Sequence, residues 1–418
     1  MLHYRHQRGS MIGLSTAVPR ILVAESDPWS RDLLMQLLLS VRCDAKVELC
    51  ENGKQALQAL ENLPDLVIAS RELSGTDGLE LLRQVRRGGA VPGLPFILLS
   101  SRSDSSSVRD VVPLQPTAYL SKPLNFEALR ERLSALLLDN GEAIVCELPP
   151  VMPGIDLNSF LDMRREASDG APIMSEVHDA VVRSLKARTL NLRLLEQDIR
   201  RDPQITAVLL AAANSAARQR EAPATTLLQA LSQLGATQSM NLILGLALKR
   251  SARLDNPLLA EQAQAYWTLS RQTAELARTL ARQQGVDHEL CYCAGLLHRL
   301  GELALLRTLH EWTLAGGALE AAQVSASLDR FGPNYGSALR ARWRLPHDLR
   351  DLIASVYALM GVYGKPSLVM NLAGQLVNLP AQADIQLVAN SKAGRLLGVE
   401  VAELTALRKN VGIVAAGT

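Results

Sequence analysis

Five short apolar runs, each followed by a segment of helical spacing, govern what residues 21–140 can fold into. The runs are Ile21–Glu25, Ala45–Cys50, Asp65–Ser70, Pro95–Ser100 and Thr117–Ser121, and the helical segments are Ser30–Ser40, Gly53–Glu61, Gly78–Arg87, Asp104–Val111 and Leu124–Leu138. In PDLVIAS the apolar residues are continuous, not alternating, as in a strand buried on both faces. Regular alternation of strand and helix predicts an α/β, doubly wound, five-stranded parallel sheet. Ligands of such sheets sit at the carboxyl ends of the strands. Those ends carry Glu25, Ser26, Ser70, Ser100 and Lys122.

From Ala171 onward the pattern changes and no strand is apparent. Leu/Ala segments at helical spacing run to about Asn410, broken at Asp202-Pro203, Asn256-Pro257, Gly316-Gly317, Pro346 and Pro366. This predicts an all-α domain. Apolar residues make up 48% of the chain but aromatics only 4%, so helices must pack closely through small side chains. We expect a disordered basic leader over 1–19, an α/β domain over 20–139, a Pro-rich linker with a helix over 140–170, and an all-α domain with a C-terminal extension over 171–418.

The 44 basic and 42 acidic side chains leave a net charge of +2, which gives no global drive toward nucleic acid or acidic lipid. No apolar run reaches the roughly 18 residues a membrane helix needs. The first residues lack the apolar core of a signal peptide. The five cysteines are scattered and odd in number, which argues against a disulfide framework, and Cys291 and Cys293 lie on different faces of a helix. A reduced, cytoplasmic protein is the expectation.

With ILVAESDP, PDLVIAS…DG, LLSS and YLSKP in this order, residues 20–139 resemble the receiver domain of bacterial response regulators, a flavodoxin-like fold. The resemblance implies an acidic pair and an acceptor aspartate that hold Mg²⁺, with a hydroxyl and a lysine that read the phosphoryl group. The pair falls on Glu25 and Ser26, the acceptor on Ser70, the hydroxyl on Ser100 and the lysine on Lys122. Two of three carboxylates are absent. Glu25 against Lys122 is formally neutral, a poor site for a cation that wants several oxygens. Ser70 cannot form an acyl phosphate. We expect a pseudo-receiver that docks or dimerises without aspartyl phosphorylation. The rival readings are phosphorylation of Ser70 by a separate kinase and a purely structural cap.

The segments LLEQDIRRDPQITAVLLAAANSA, ALSQLGATQSMNLILGLAL, YWTLSRQTAELARTLA, CAGLLHRLGELALL and YGSALRARWRLP make the second half similar to the HDOD family, the HD-related output domains. Ancestral HD chemistry needs several histidines and a carboxylate around a metal. Here the His-Asp step reads His298-Arg299, and Leu269 stands where HD enzymes carry a histidine. One imidazole does not hold a catalytic metal. Arg299 is placed to pair with Glu302 one turn on. Asn214 and Ser215 at a helix end, and Arg340, Arg342, Trp343 and Arg344, are the interaction candidates. The last four could suit a nucleic acid, but a solvated helix face with Trp343 in the core is the preferred reading.

The combined resemblance implies a non-catalytic bacterial signalling regulator or adaptor with no cofactor and no bound metal. Its partners would be proteins of a signalling pathway, a kinase or a cyclic-di-GMP enzyme among them, with a homodimer through the last receiver helix. The alternatives are a residual HD-type metal-dependent phosphohydrolase and a sensor of a small nucleotide-like ligand in the degenerate HD cavity.

Overall fold

The computed structural model describes residues 18–87, 93–102, 109–122, 126–138, 154–168, 170–174, 199–214, 222–248, 253–380 and 382–412, with isolated positions between them. The leader through residue 17, the Pro-rich part of the linker, Cys146 and Ser215 lie outside the described residues, as does most of 175–198. The chain divides into two compact units, one drawn from 1–147 with 240–249 and the other from 148–239 with 250–418.

The first unit is built on a five-stranded parallel sheet of β1 (Arg20–Ala24), β2 (Lys46–Cys50), β3 (Leu66–Ser70), β4 (Phe96–Ser100) and β5 (Ala118–Ser121). Strand order is β2-β1-β3-β4-β5. Every residue of β3 and β4 is buried, which is why their sequences are unbroken apolar runs. Ala24 pairs with Ala69, Ser70 with Leu99 and Ser100 with Ser121, so the ends of β1, β3, β4 and β5 come level at one edge. Helices Pro28–Val41, Gly53–Ala59, Gly78–Arg87 and Phe126–Leu137 accompany the strands. The first is opened by Asp27, whose carboxylate accepts the Ser30 N–H at 2.8 Å, with Pro28 at its first position. Of the helix expected over 104–111, residues 105–108 lie outside the described residues and residues 109–111 are helical.

The second unit is helical, with no strand among its described residues. The breaks expected at Asp202-Pro203 and Asn256-Pro257 are present, and the helices also break at Gly235, at Gly285 and at His298-Arg299. Asp202 accepts the Ile205 N–H at 2.9 Å and starts the helix Pro203–Ala213. Asn256 caps Pro257–Gln284. The helices Leu300–Leu314 and Ala321–Arg342 approach so closely that a Cβ on Gly301 would meet the Gly332 carbonyl oxygen at 2.4 Å. Only glycine permits that contact. The helix expected within the linker forms over Leu157–Arg165, but it is no free connection. Leu161 is fully buried, its carbonyl accepts the Tyr335 hydroxyl at 2.7 Å, Phe160 meets the Trp312 ring at 5.3 Å, and Arg164 is paired with Glu311.

Cys43 is disulfide-bonded, which corrects the expectation of a wholly reduced set, while Cys50, Cys291 and Cys293 are free. Burial pushes both the Cys291 and the Cys293 thiol up to about 12, as for packed rather than reactive or metal-binding cysteines. No helix among the described residues is long and apolar enough to cross a membrane.

Candidate functional site

The edge where the strands end gathers the residues singled out in the first unit. Glu25 is 1% exposed and its Oε2 accepts from Lys122 Nζ at 2.6 Å. Lys122 Nζ also donates to Ser70 Oγ at 2.8 Å. Ser70 and Ser100 are fully buried. Ser26 is exposed. Glu25 is fixed further by the Asp27 N–H on its Oε1 at 3.1 Å and by Arg31, which donates to its carbonyl at 2.8 Å.

The structure adds a carboxylate that the sequence reading missed. Glu72, two residues beyond Ser70, turns back over the strand ends. Its Oε1 accepts from Ser100 Oγ at 2.9 Å and from the Ser101 N–H at 2.8 Å. Its Oε2 accepts from Ser70 Oγ at 3.1 Å and lies 3.8 Å from Lys122 Nζ. The loop that carries it is pinned at both ends, by the Arg71 N–H on Leu99 O at 2.7 Å and by the Gly78 N–H on Arg71 O at 3.2 Å. A Cβ at Gly78 would meet the Ser70 carbonyl oxygen at 2.3 Å, so the loop can close only over a glycine. The cluster is therefore not the neutral Glu25–Lys122 pair that was expected, because two carboxylates share one ammonium. Partial burial works to raise the Glu72 carboxyl. The Ser101 N–H, the Ser100 hydroxyl, the Lys122 charge and the Ser70 hydroxyl outweigh it and hold the group below its ordinary range. Position offers the signal that could have found it: in extended chain, residues i and i+2 face the same side.

In the second unit, His298 and Arg299 sit where the helix His288–Leu297 gives way to Leu300–Leu314. The His298 ring is buried and its Nδ1–H donates to Gly295 O at 2.7 Å. Burial, with the Arg299 charge beside it, pushes the imidazole down to about 3. Arg299 pairs with Glu302 at 2.8 Å, as its spacing suggested, and reaches Asn378 Oδ1 at 3.3 Å. Its guanidinium lies 5.8 Å from the Tyr266 ring centre and 5.5 Å from that of Tyr357. The Tyr357 hydroxyl donates to His298 O at 2.7 Å. Leu269 is half-buried one turn along from Tyr266. Arg299, flanked by two phenol rings and a carboxylate, thus stands beside His298. No group of three His, Cys, Asp or Glu suited to a metal occurs among the described residues.

The interaction candidates separate. Asn214 exchanges two hydrogen bonds with the Ala224 backbone, both at 2.8 Å. Arg342 donates to the carbonyls of Ser168 at 2.9 Å and Glu166 at 3.3 Å, at the end of the helix Leu157–Arg165. It clamps the end of that helix while itself remaining exposed. Trp343 is buried as expected. Arg340 is partly buried and donates to Ser337 Oγ at 3.2 Å, whereas Arg342 and Arg344 are both exposed.

A doubly wound parallel sheet with acid, hydroxyl and lysine at its strand ends, followed by a helical body with a histidine at a helix junction, defines a receiver joined to an HD-related domain. Comparison with known families agrees: residues 21–134 are a response regulator receiver domain and residues 171–359 are an HDOD domain. The helix Leu157–Arg165 lies outside both matched ranges. Over 114 residues the chain is 28% identical to the probable C4-dicarboxylate response regulator DctR of Priestia megaterium, covering 27% of this chain and 49% of that protein. It is 39% identical over 121 residues to the response regulator MprA of Mycobacterium sp. (strain KMS), covering 28% of this chain and 50% of that protein. The chain thus spans about half the length of these curated relatives. Among solved structures, the MmoQ response regulator of Methylococcus capsulatus str. Bath aligns at 20% identity with a TM-score of 0.44, covering 56% of this chain and 96% of that one.

Proposed function

We propose that the chain is a signalling regulator that works through protein contacts, with neither aspartyl phosphorylation in its receiver nor hydrolysis in its HDOD domain. The observation that carries this reading is the state of Ser70. The acceptor position holds a fully buried hydroxyl that accepts from Lys122 and donates to Glu72. It has no carboxylate to form an acyl phosphate and no open face for a separate kinase. Glu25, the remaining acid of the expected pair, is committed to Lys122. In the second unit Arg299 places a cation where a metal would need a ligand, which disfavours residual phosphohydrolase chemistry.

The partners in this reading are proteins of a signalling pathway, such as a kinase or a cyclic-di-GMP enzyme. The helix Phe126–Leu137 is the surface we assign to docking or self-association. The full chain, incubated with acetyl phosphate and Mg²⁺ and examined by intact mass spectrometry, should gain no phosphoryl adduct. It should also turn over no activated phosphodiester in Mn²⁺. An adduct, or turnover abolished by His298→Ala, would overturn the reading.

A further inference from the structure

Four donors from three strand ends converge on one side chain. Ser70 Oγ ends β3, Ser100 Oγ ends β4 with the Ser101 N–H just beyond it, and Lys122 Nζ follows β5. Two hydroxyls, a backbone N–H and an ammonium around one position form the donor set of an oxyanion receptor. The Glu72 carboxylate stands in that position with both oxygens engaged. Yet it remains 34% exposed, on a loop whose own backbone is held independently by Leu99 O and Gly78 N. Removing its side chain would therefore vacate the receptor without unmaking the loop.

We propose that the carboxyl ends of β3, β4 and β5 form an oxyanion-binding site filled by the chain's own Glu72, so that inorganic phosphate and carboxylates are shut out for as long as Glu72 stays. This goes beyond the absence of phosphoryl transfer, since a pocket unable to transfer could equally stand open to solvent anions. Glu25 neutralises Lys122 at 2.6 Å, so an anion entering in place of Glu72 meets a locally uncharged floor lined with donors.

The test is thermal unfolding of the full chain at fixed ionic strength in chloride, acetate and inorganic phosphate. The wild type gives the general salt effect of each anion, and the shifts of the variants are counted beyond it. Glu72→Ala should unfold earlier than wild type in chloride and regain roughly 2 °C or more in acetate or phosphate, because an anion bound only by the native state raises stability. Adding Ser100→Ala to that variant should abolish the recovery. A wild type that responds as strongly as Glu72→Ala, or a folded Glu72→Ala that responds to neither anion, overturns the proposal. Should Glu72→Ala not fold, the Ser101 amide of the wild-type chain decides the matter. In an acid titration followed by ¹H–¹⁵N correlation spectra, it should shift with a transition below the ordinary carboxylate range. A Ser101 amide that stays still overturns the proposal. Phosphoryl transfer is read separately, by the mass adduct, so the two ideas can fail independently.

Discussion

Burial keeps the His298 imidazole neutral well below the pH at which a free histidine charges. Its folded value, about 3, lies under the unfolded 6.5, so the stability it contributes is full above pH 6.5 and is lost as pH falls toward 3. His298→Gln keeps a donor for Gly295 O and cannot titrate. At pH 7 we expect the variant to be about 1 kcal/mol less stable, and the gap should narrow between pH 6 and about 4, measured by urea denaturation across a pH series. Ser70→Asp tests the other site. It would place a third acid around Lys122 in a fully buried position. The expected result is a loss of about 1–3 kcal/mol and still no adduct with acetyl phosphate, since Ser26 and Glu72 remain as they are.

At the scale of elements, the helices Pro28–Val41, Pro203–Ala213 and Pro257–Gln284 start from the same device, a polar cap followed by proline. Asn256 Oδ1 accepts from the Leu258 N–H at 3.0 Å, and Asn256→Ala should cost about 1 kcal/mol by denaturant titration. Asp202 does more, because its second oxygen holds the Met174 N–H at 2.7 Å and so ties the entry segment to the helix Pro203–Ala213. Asp202→Ala should cost about 2 kcal/mol or more. Burial raises the Asp202 carboxyl from 3.8 to about 6, so its contribution is full below pH 3.8 and is lost as pH rises through 6, opposite in sign to His298. The penalty of the substitution should therefore shrink above that pH. These elements were legible in sequence for plain reasons: continuous apolar runs mark strands covered on both faces, and Asp-Pro and Asn-Pro mark helix starts. Positions 25, 70, 100 and 122 were legible for the same reason, since strand ends locate them. Glu72 was not, because attention to which residue replaces an acceptor says nothing of a loop side chain that folds back on it. Arg342 read as a free cation because the carbonyls it clamps are more than 170 residues away in sequence.

For the molecule as a whole, the helix Leu157–Arg165 matters most. A chain beginning at residue 171, where the HDOD match begins, should unfold roughly 5–10 °C below one beginning at residue 154 in a calorimetric scan. The shorter chain uncovers Trp312 and leaves the buried Tyr335 hydroxyl without the Leu161 carbonyl. From a linker composition alone this helix looks like a spacer, since its few apolar residues give no sign of what they meet. Its placement bears on how such genes can be recombined. The piece that can be moved intact begins upstream of the boundary that family resemblance draws, because the helix fills a socket in the helical domain. Spliced behind a different receiver at residue 154, the second domain arrives with that socket already closed; spliced at residue 171, it arrives with a sticky apolar face and an invitation to aggregate.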